Sequence, residues 1–379
     1  MTVFMNHLYA KTINLPQYPL LNMLFAFATE AVICFFVLSG CVIALQRYNT
    51  IQDYIIARIV RIAPIYYIAL AVTVLCMIVC DQPINGKQIV ANALFLQTMG
   101  GHLATPLAFN LPTWSLSYEA IYYALFVLVL IAPFCLWPLF IASVCSGISL
   151  YLFPGSSGAL GFAQNIFSFF CFWLLGVIAV RGIRNFRYPS LETGTFLFLA
   201  GVCWSRIPLS SDYYDFSRLF GFAIGSGALC SALIAAEHNL GDSKRREFDI
   251  NGHQRAVVCV SVVMMLWILS HSLFMTKLLF GLIMVGAALV PTAPVILFSV
   301  LIRPAKSALI YIAGLSYALY VIHYPVIYLI NSLLISLNPI ARVVVAASIS
   351  LSAAHWLEYR LQRHVKTFLL AFGSAKTAQ

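Results

Sequence analysis

The sequence predicts an all-α, polytopic transmembrane helix bundle of about eleven spans plus a partial first helix. Three observations predict it. Of 379 residues, 62% are hydrophobic and only 9% charged, with a mean hydropathy of +0.92; a soluble chain carries about 45–50% apolar and about 25% charged residues. Apolar runs of about 20 residues, the length that crosses a hydrocarbon core of about 30 Å, recur from end to end. Basic residues cluster between those runs, as they do in the cytoplasmic loops of membrane proteins.

Residues 1–10 read as the tail of a helix ending near Tyr9. They lack the basic leader and full apolar core of a cleavable signal peptide. The full-length runs lie at about 21–45, 62–80, 117–135, 138–153, 165–180, 217–236, 256–274, 278–303, 308–334 and 340–357, with a weaker one at 193–206. Pro133 and Pro138 divide one long apolar stretch, and Pro304 divides another, since proline breaks the helical ladder. The basic clusters are Arg47, Arg58 and Arg61; Arg181, Arg184 and Arg187; Lys244, Arg245, Arg246 and Arg255; Arg303 and Lys306; and Arg360, Arg363, Lys366 and Lys376. Placing every cluster in the cytoplasm makes the eleven runs alternate strictly, provided 193–206 crosses. A helix ending near Tyr9 then starts in the cytoplasm. Residues 81–116 become the largest outer connection, long enough to be functional, with a short re-entrant or interfacial segment at 89–96. The chain divides into one integral-membrane domain, 1–360, and a cytoplasmic basic tail, 361–379.

The net charge of +10 reflects those loops. The longest basic stretch, Lys244-Arg245-Arg246, argues against a nucleic-acid partner. Ten cysteines form no Cys-x-x-Cys pair, so neither a disulfide framework nor a metal site is expected.

Ionisable groups within spans are costly and are functional candidates. Glu30, Glu119 and His323 lie inside runs, His7 lies on the partial first helix, and His271 and His355 sit near run ends. Alternation places His7, Glu30, Glu119 and His323 toward the outer side, with Arg58 and Arg61 on the cytoplasmic side. An imidazole beside a carboxylate is a general-base pair. Each group also has a plain alternative, a satisfied interhelical hydrogen bond, and the two arginines could be ordinary positive-inside charge.

Four strings resemble the membrane acyltransferase family 3, bacterial O-acyltransferases that decorate surface glycans. They are Glu30-Ala31-Val32-Ile33-Cys34-Phe35-Phe36-Val37-Leu38-Ser39-Gly40, Arg58-Ile59-Val60-Arg61-Ile62-Ala63-Pro64, Trp114-Ser115-Leu116-Ser117-Tyr118-Glu119 and Ser316-Tyr317-Ala318-Leu319-Tyr320-Val321-Ile322-His323. Glu358 sits where the family often has a Glu followed by Arg or Pro. The strings follow the family's order across most of the chain. The family's first helix carries an Arg ten residues before a His. His7 matches the His, and its Arg would fall before residue 1.

The resemblance implies transfer of an acyl group, acetyl from acetyl-CoA, to a hydroxyl of a surface or exported carbohydrate. It implies His7 as the catalytic base and Glu30 as the residue that orients it. Trp114, Ser115, Ser117 and Glu119 would line the acceptor chamber, with Tyr317 and His323 supporting it. Arg58 and Arg61 would meet the phosphates of the acyl-CoA, since a guanidinium matches phosphate oxygens. The expected partners are the acyl-CoA, the carbohydrate and the lipid bilayer; no metal is expected. Intramembrane His and Glu also suit a proton-coupled transporter; the partial first helix is expected to reflect a start at an internal Met, with a non-catalytic relative as the alternative.

Overall fold

The computed structural model of the chain describes residues 1–13, 27–98, 100–152, 158–185, 188–205, 216–239, 292–365 and 367. These contain eleven α-helices: α1 (Thr2–Thr12), α2 (Ala28–Leu45), α3 (Ile51–Val79), α4 (Gly86–Ala93), α5 (Trp114–Ile131), α6 (Leu136–Leu152), α7 (Gly158–Arg184), α8 (Leu191–Ser205), α9 (Phe216–Asn239), α10 (Thr292–Leu333) and α11 (Pro339–His355). A 3-10 segment, Ala108–Thr113, leads into α5, and a π-helical segment, Trp356–Leu361, follows α11.

Eight stretches among the described residues are long and apolar enough to cross a membrane. The weak run at 193–206 is the 15-residue α8, about 22 Å long against a core of about 30 Å. The expected run at 256–274, and the part of 278–303 before residue 292, lie outside the described residues.

Three expectations are corrected. The second full span starts at Ile51, not near 62. Thr50 and Asp53 form a reciprocal cap, with Asp53 N donating to Thr50 Oγ1 at 3.0 Å and Thr50 N to Asp53 Oδ2 at 3.1 Å. The 29 residues of α3 therefore carry Arg58 and Arg61 on the helix, and Pro64 lies inside it. At about 43 Å, α3 outruns the hydrocarbon core, so its first turns stand in the basic end zone. Likewise, α10 runs without a break through Pro304. Prolines within spanning helices are tolerated where neighbouring groups satisfy the freed carbonyls.

The third correction is one of extent: the connection expected at 81–116 holds a short helix, α4, where a re-entrant or interfacial segment is expected, and its described residues pack against α3 and α10 well beyond that segment. Asn85 caps α4 by accepting from Lys87 N at 3.0 Å. Tyr66, midway along α3, donates to Asn92 O at 2.7 Å and accepts from Gln97 Nε2 at 3.0 Å. Asn110 Nδ2 donates to Thr73 Oγ1 at 3.0 Å and to Val321 O of α10 at 2.9 Å. These bonds tie the described part of the segment to α3 and α10.

Two helices organise the packing. α7 contacts α2, α6 and α9, while α10 contacts α1, α3, α11 and the 3-10 segment. α2 and α7 touch backbone to backbone. A Cβ on Gly40 would stand 2.0 Å from Trp173 O, and one on Gly176 would stand 2.0 Å from Val37 O. Small residues at such a crossing let dispersion act between main chains in lipid. Beside it lies a buried aromatic core that includes Phe36, Tyr118, Tyr122, Phe170 and Trp173. At the basic end, Arg184 Nη2 donates to Ala44 O at 2.7 Å, so a cation meets the carbonyl-rich C-terminus of α2, and Arg181 Nη1 donates to Pro133 O at 3.1 Å in the turn after α5.

Candidate active site

The sequence-predicted site residues fall into three tiers along the bundle. The first tier surrounds a cavity of about 450 Å³ at the end away from the arginine clusters. α1 contributes Val3, Asn6 and His7; α2 contributes Ala28, Thr29 and Val32; α10 contributes Tyr320 and Tyr324. Trp114 at the start of α5, with Pro106, Leu111 and Pro112, closes the wall.

α1 runs alongside α10 in the same direction. Asn331 Nδ2 donates to Thr12 Oγ1 at 3.2 Å, and between one and about two turns earlier on the two helices His7 Nδ1 lies 3.0 Å from His323 Nε2. The two imidazole rings are 6° from parallel, with centroids 5.3 Å apart. His323 is fully buried, and its Nδ1 lies 2.9 Å from Leu319 O one turn earlier in α10. The edges of Phe4 and Tyr324 close around it. The sequence expects a carboxylate to orient His7, but the group at its Nδ1 is a second histidine. Glu30 is buried in the first turn of α2, beside the cavity-lining Thr29.

The wall is fixed by Tyr320. Its hydroxyl donates to Pro112 O at 2.5 Å and so accepts from Ser115 Oγ at 2.7 Å. Ser115 thus stands behind the wall and ties α5 to α10. Trp114 meets Tyr118 edge-on at 5.1 Å and Phe36 at 6.5 Å.

The second tier is deeper. Glu119 Oε1 accepts from Ser39 Oγ at 2.8 Å and from the Tyr123 hydroxyl, and Ser39 Oγ accepts from Trp173 Nε1 at 3.1 Å. Ser39 is eleven residues along α2 from Ala28, about 16 Å below the cavity rim. Glu119 is not among the residues that line the first cavity. Its Oε2, and Ser117 Oγ nearby on α5, are buried without a hydrogen-bond partner among the described residues.

The third tier faces the basic end. Arg61 pairs with Glu358 and lies over the ring of Tyr317, 5.4 Å from its centroid. The Tyr317 hydroxyl donates to Ile62 O at 2.9 Å, so Tyr317 joins α10 to α3 away from the cavity. Arg58 Nη2 donates to Gln46 Oε1 at 2.7 Å, and its guanidinium lies 5.6–5.9 Å from the rings of Tyr48, Tyr54 and Tyr123. It borders a second, largely apolar cavity of about 600 Å³ between α3 and α5.

Several residues at these tiers escape sequence reasoning. Tyr324, Asn6 and Thr29 line the first cavity, and Ser39, Tyr123 and Trp173 hold Glu119. Tyr320 and Tyr324 had a readable signal, since their spacing puts them on one helical face flanking His323. Ser39 stood within the string Glu30 to Gly40 without a role of its own, and Trp173, in an unbroken apolar run on another helix, had no signal.

A family model described as "Acyltransferase domain" matches residues 2–359. No curated protein and no solved structure matches the chain.

Proposed function

The chain belongs to acyltransferase family 3, and from that premise we propose that it moves an acetyl group from acetyl-CoA to a hydroxyl of a cell-surface or exported carbohydrate. His7 is the general base. The single observation that carries this reading is that an imidazole, its Nδ1 held by a buried partner, opens onto a cavity walled by Trp114, Tyr320 and Tyr324. Aromatic walls with a few polar groups suit a small polyhydroxy ligand.

The acceptor hydroxyl gives its proton to His7 as its oxygen bonds to the thioester carbonyl carbon. The carbon–sulfur bond then breaks, and the same proton leaves on sulfur as the free thiol. A positioned base of this kind contributes about 10²–10⁴-fold in rate. By the positive-inside rule the arginine end faces the cytoplasm. There Arg58 and Arg61 are the cations offered to the donor's phosphates, and the thioester arm reaches outward toward His7.

The test is His7→Ala expressed in the native host, with O-acetyl groups on surface carbohydrate quantified after mild alkaline release. Loss of acetylation at wild-type protein level is expected. Unchanged acetylation would overturn the assignment of His7.

A further inference from the structure

The three atoms in line behind His7 fix where its protons sit. A main-chain carbonyl accepts and never donates. Leu319 O is 2.9 Å from His323 Nδ1, so that nitrogen carries hydrogen. His323 is fully buried, and among the described residues no carboxylate forms an ion pair with either ring. A buried, uncompensated cation is costly, so His323 is neutral and its Nε2 holds a lone pair. His7 Nδ1, 3.0 Å away, must then be the donor. The nearly parallel rings, with centroids separated by about the N···N distance plus two ring radii, put that bond in both ring planes, where the lone pair points. By elimination the lone pair of His7 is on Nε2.

We propose that His323 is a positioning residue, which holds His7 in the Nδ1–H tautomer and so presents Nε2 as the base. The proposal rests on the reading of His7 given above. When Nε2 takes the hydroxyl proton, the positive charge on His7 is shared through Nδ1–H with neutral His323, and through His323 Nδ1–H with the Leu319 carbonyl. His323 neither gains nor loses a proton. A buried carbonyl and a second imidazole thus do together what a carboxylate does in other His-based sites.

The experiment uses the full chain in lipid nanodiscs with ring-¹⁵N-labelled histidine, and assigns the His7 signals by their loss in His7→Ala. Wild type is expected to show His7 protonated on Nδ1. His323→Gln, which sets an amide oxygen near the place of Nε2, is expected to keep that signature. His323→Leu is expected to lose it. In membrane vesicles that hold the endogenous acceptor, CoA release from acetyl-CoA should fall about 10²–10⁴-fold in kcat for His323→Leu with KM for acetyl-CoA unchanged. His323→Gln should recover all but about tenfold of that rate. His7 protonated on Nε2 in wild type would overturn the proposal even if His323→Leu failed to fold. A fast His323→Leu beside an inactive His7→Ala would overturn it alone, whereas an active His7→Ala would overturn the underlying reading.

Discussion

Arg61 of α3 and Glu358 of the π-helical segment after α11 form the one ion pair among the described residues. It closes the basic end by joining elements 297 residues apart. The pair is partly screened, since the Arg61 side chain is 33% exposed and that of Glu358 11%. Glu358→Gln and Arg61→Gln should each destabilise by at most about 1.5–3 kcal/mol, the range for a hydrogen bond to a charged group, and toward the lower end because the pair is partly screened. Their double substitution should cost less than the sum, because both remove the same contact. Thermal unfolding of the four proteins in one detergent measures the coupling.

The α2–α7 crossing allows no side chain at its centre. Gly176→Ala puts a methyl group against the Val37 carbonyl, and main chain cannot step aside as a flexible side chain can. A loss of about 1–3 kcal/mol or more is expected. Gly86→Ala is the control. It starts α4 with nothing within 4 Å of the new Cβ, and should be neutral or stabilising by up to about 1 kcal/mol. Midpoints of thermal unfolding distinguish the two.

Glu119 serves Ser39 and Tyr123 as an acceptor. Glu119→Gln retains a carbonyl oxygen for both hydroxyls and should keep the fold, whereas Glu119→Ala strands them at about 1–3 kcal/mol for each unsatisfied group. Yield of monodisperse protein and its unfolding midpoint should rank wild type and Glu119→Gln above Glu119→Ala. The reverse order would show that the carboxylate is a liability at this depth.

Tyr320 reaches the cavity wall through its hydroxyl. Tyr320→Phe removes the donor to Pro112 O and the acceptor for Ser115 while keeping the ring. Stability should drop by about 1–3 kcal/mol. Because Pro112 and Trp114 share that wall, the proposed function requires acetyl transfer to surface carbohydrate to fall more than donor hydrolysis by water does. Isotope-labelled acetyl-CoA, followed into both products, measures the ratio.

Much of the bundle was legible because a spanning helix announces itself within twenty residues of sequence. The start of α3 was not, since Arg58 and Arg61 interrupt the hydropathy of Ile51–Ile62 and make it resemble a loop. The local signal that outweighs them is the reciprocal cap of Thr50 and Asp53. In residues 81–113 only the short segment at 89–96 was legible, and its packing partners were not. The glycines and polar side chains of this connection look exposed until their partners are known, and those partners, Tyr66, Thr73 and Val321, are remote in sequence. The site followed the same rule. His7, Glu119 and His323 each stood out as ionisable groups in apolar runs, but which of them meet depends on helix packing. His7 meets His323 beside the cavity, while Glu119 belongs to a separate hydroxyl network.

The two imidazoles that meet at the cavity are 316 residues apart in the chain. At a synthesis rate of about 5–20 residues per second, roughly 15–60 s separate the emergence of His7 from that of His323. Throughout that interval the early helices can insert and pack while the partner of His7 Nδ1 does not yet exist. If His7 is the base, as proposed, a chain released within that interval would carry the base without the residue that fixes its tautomer.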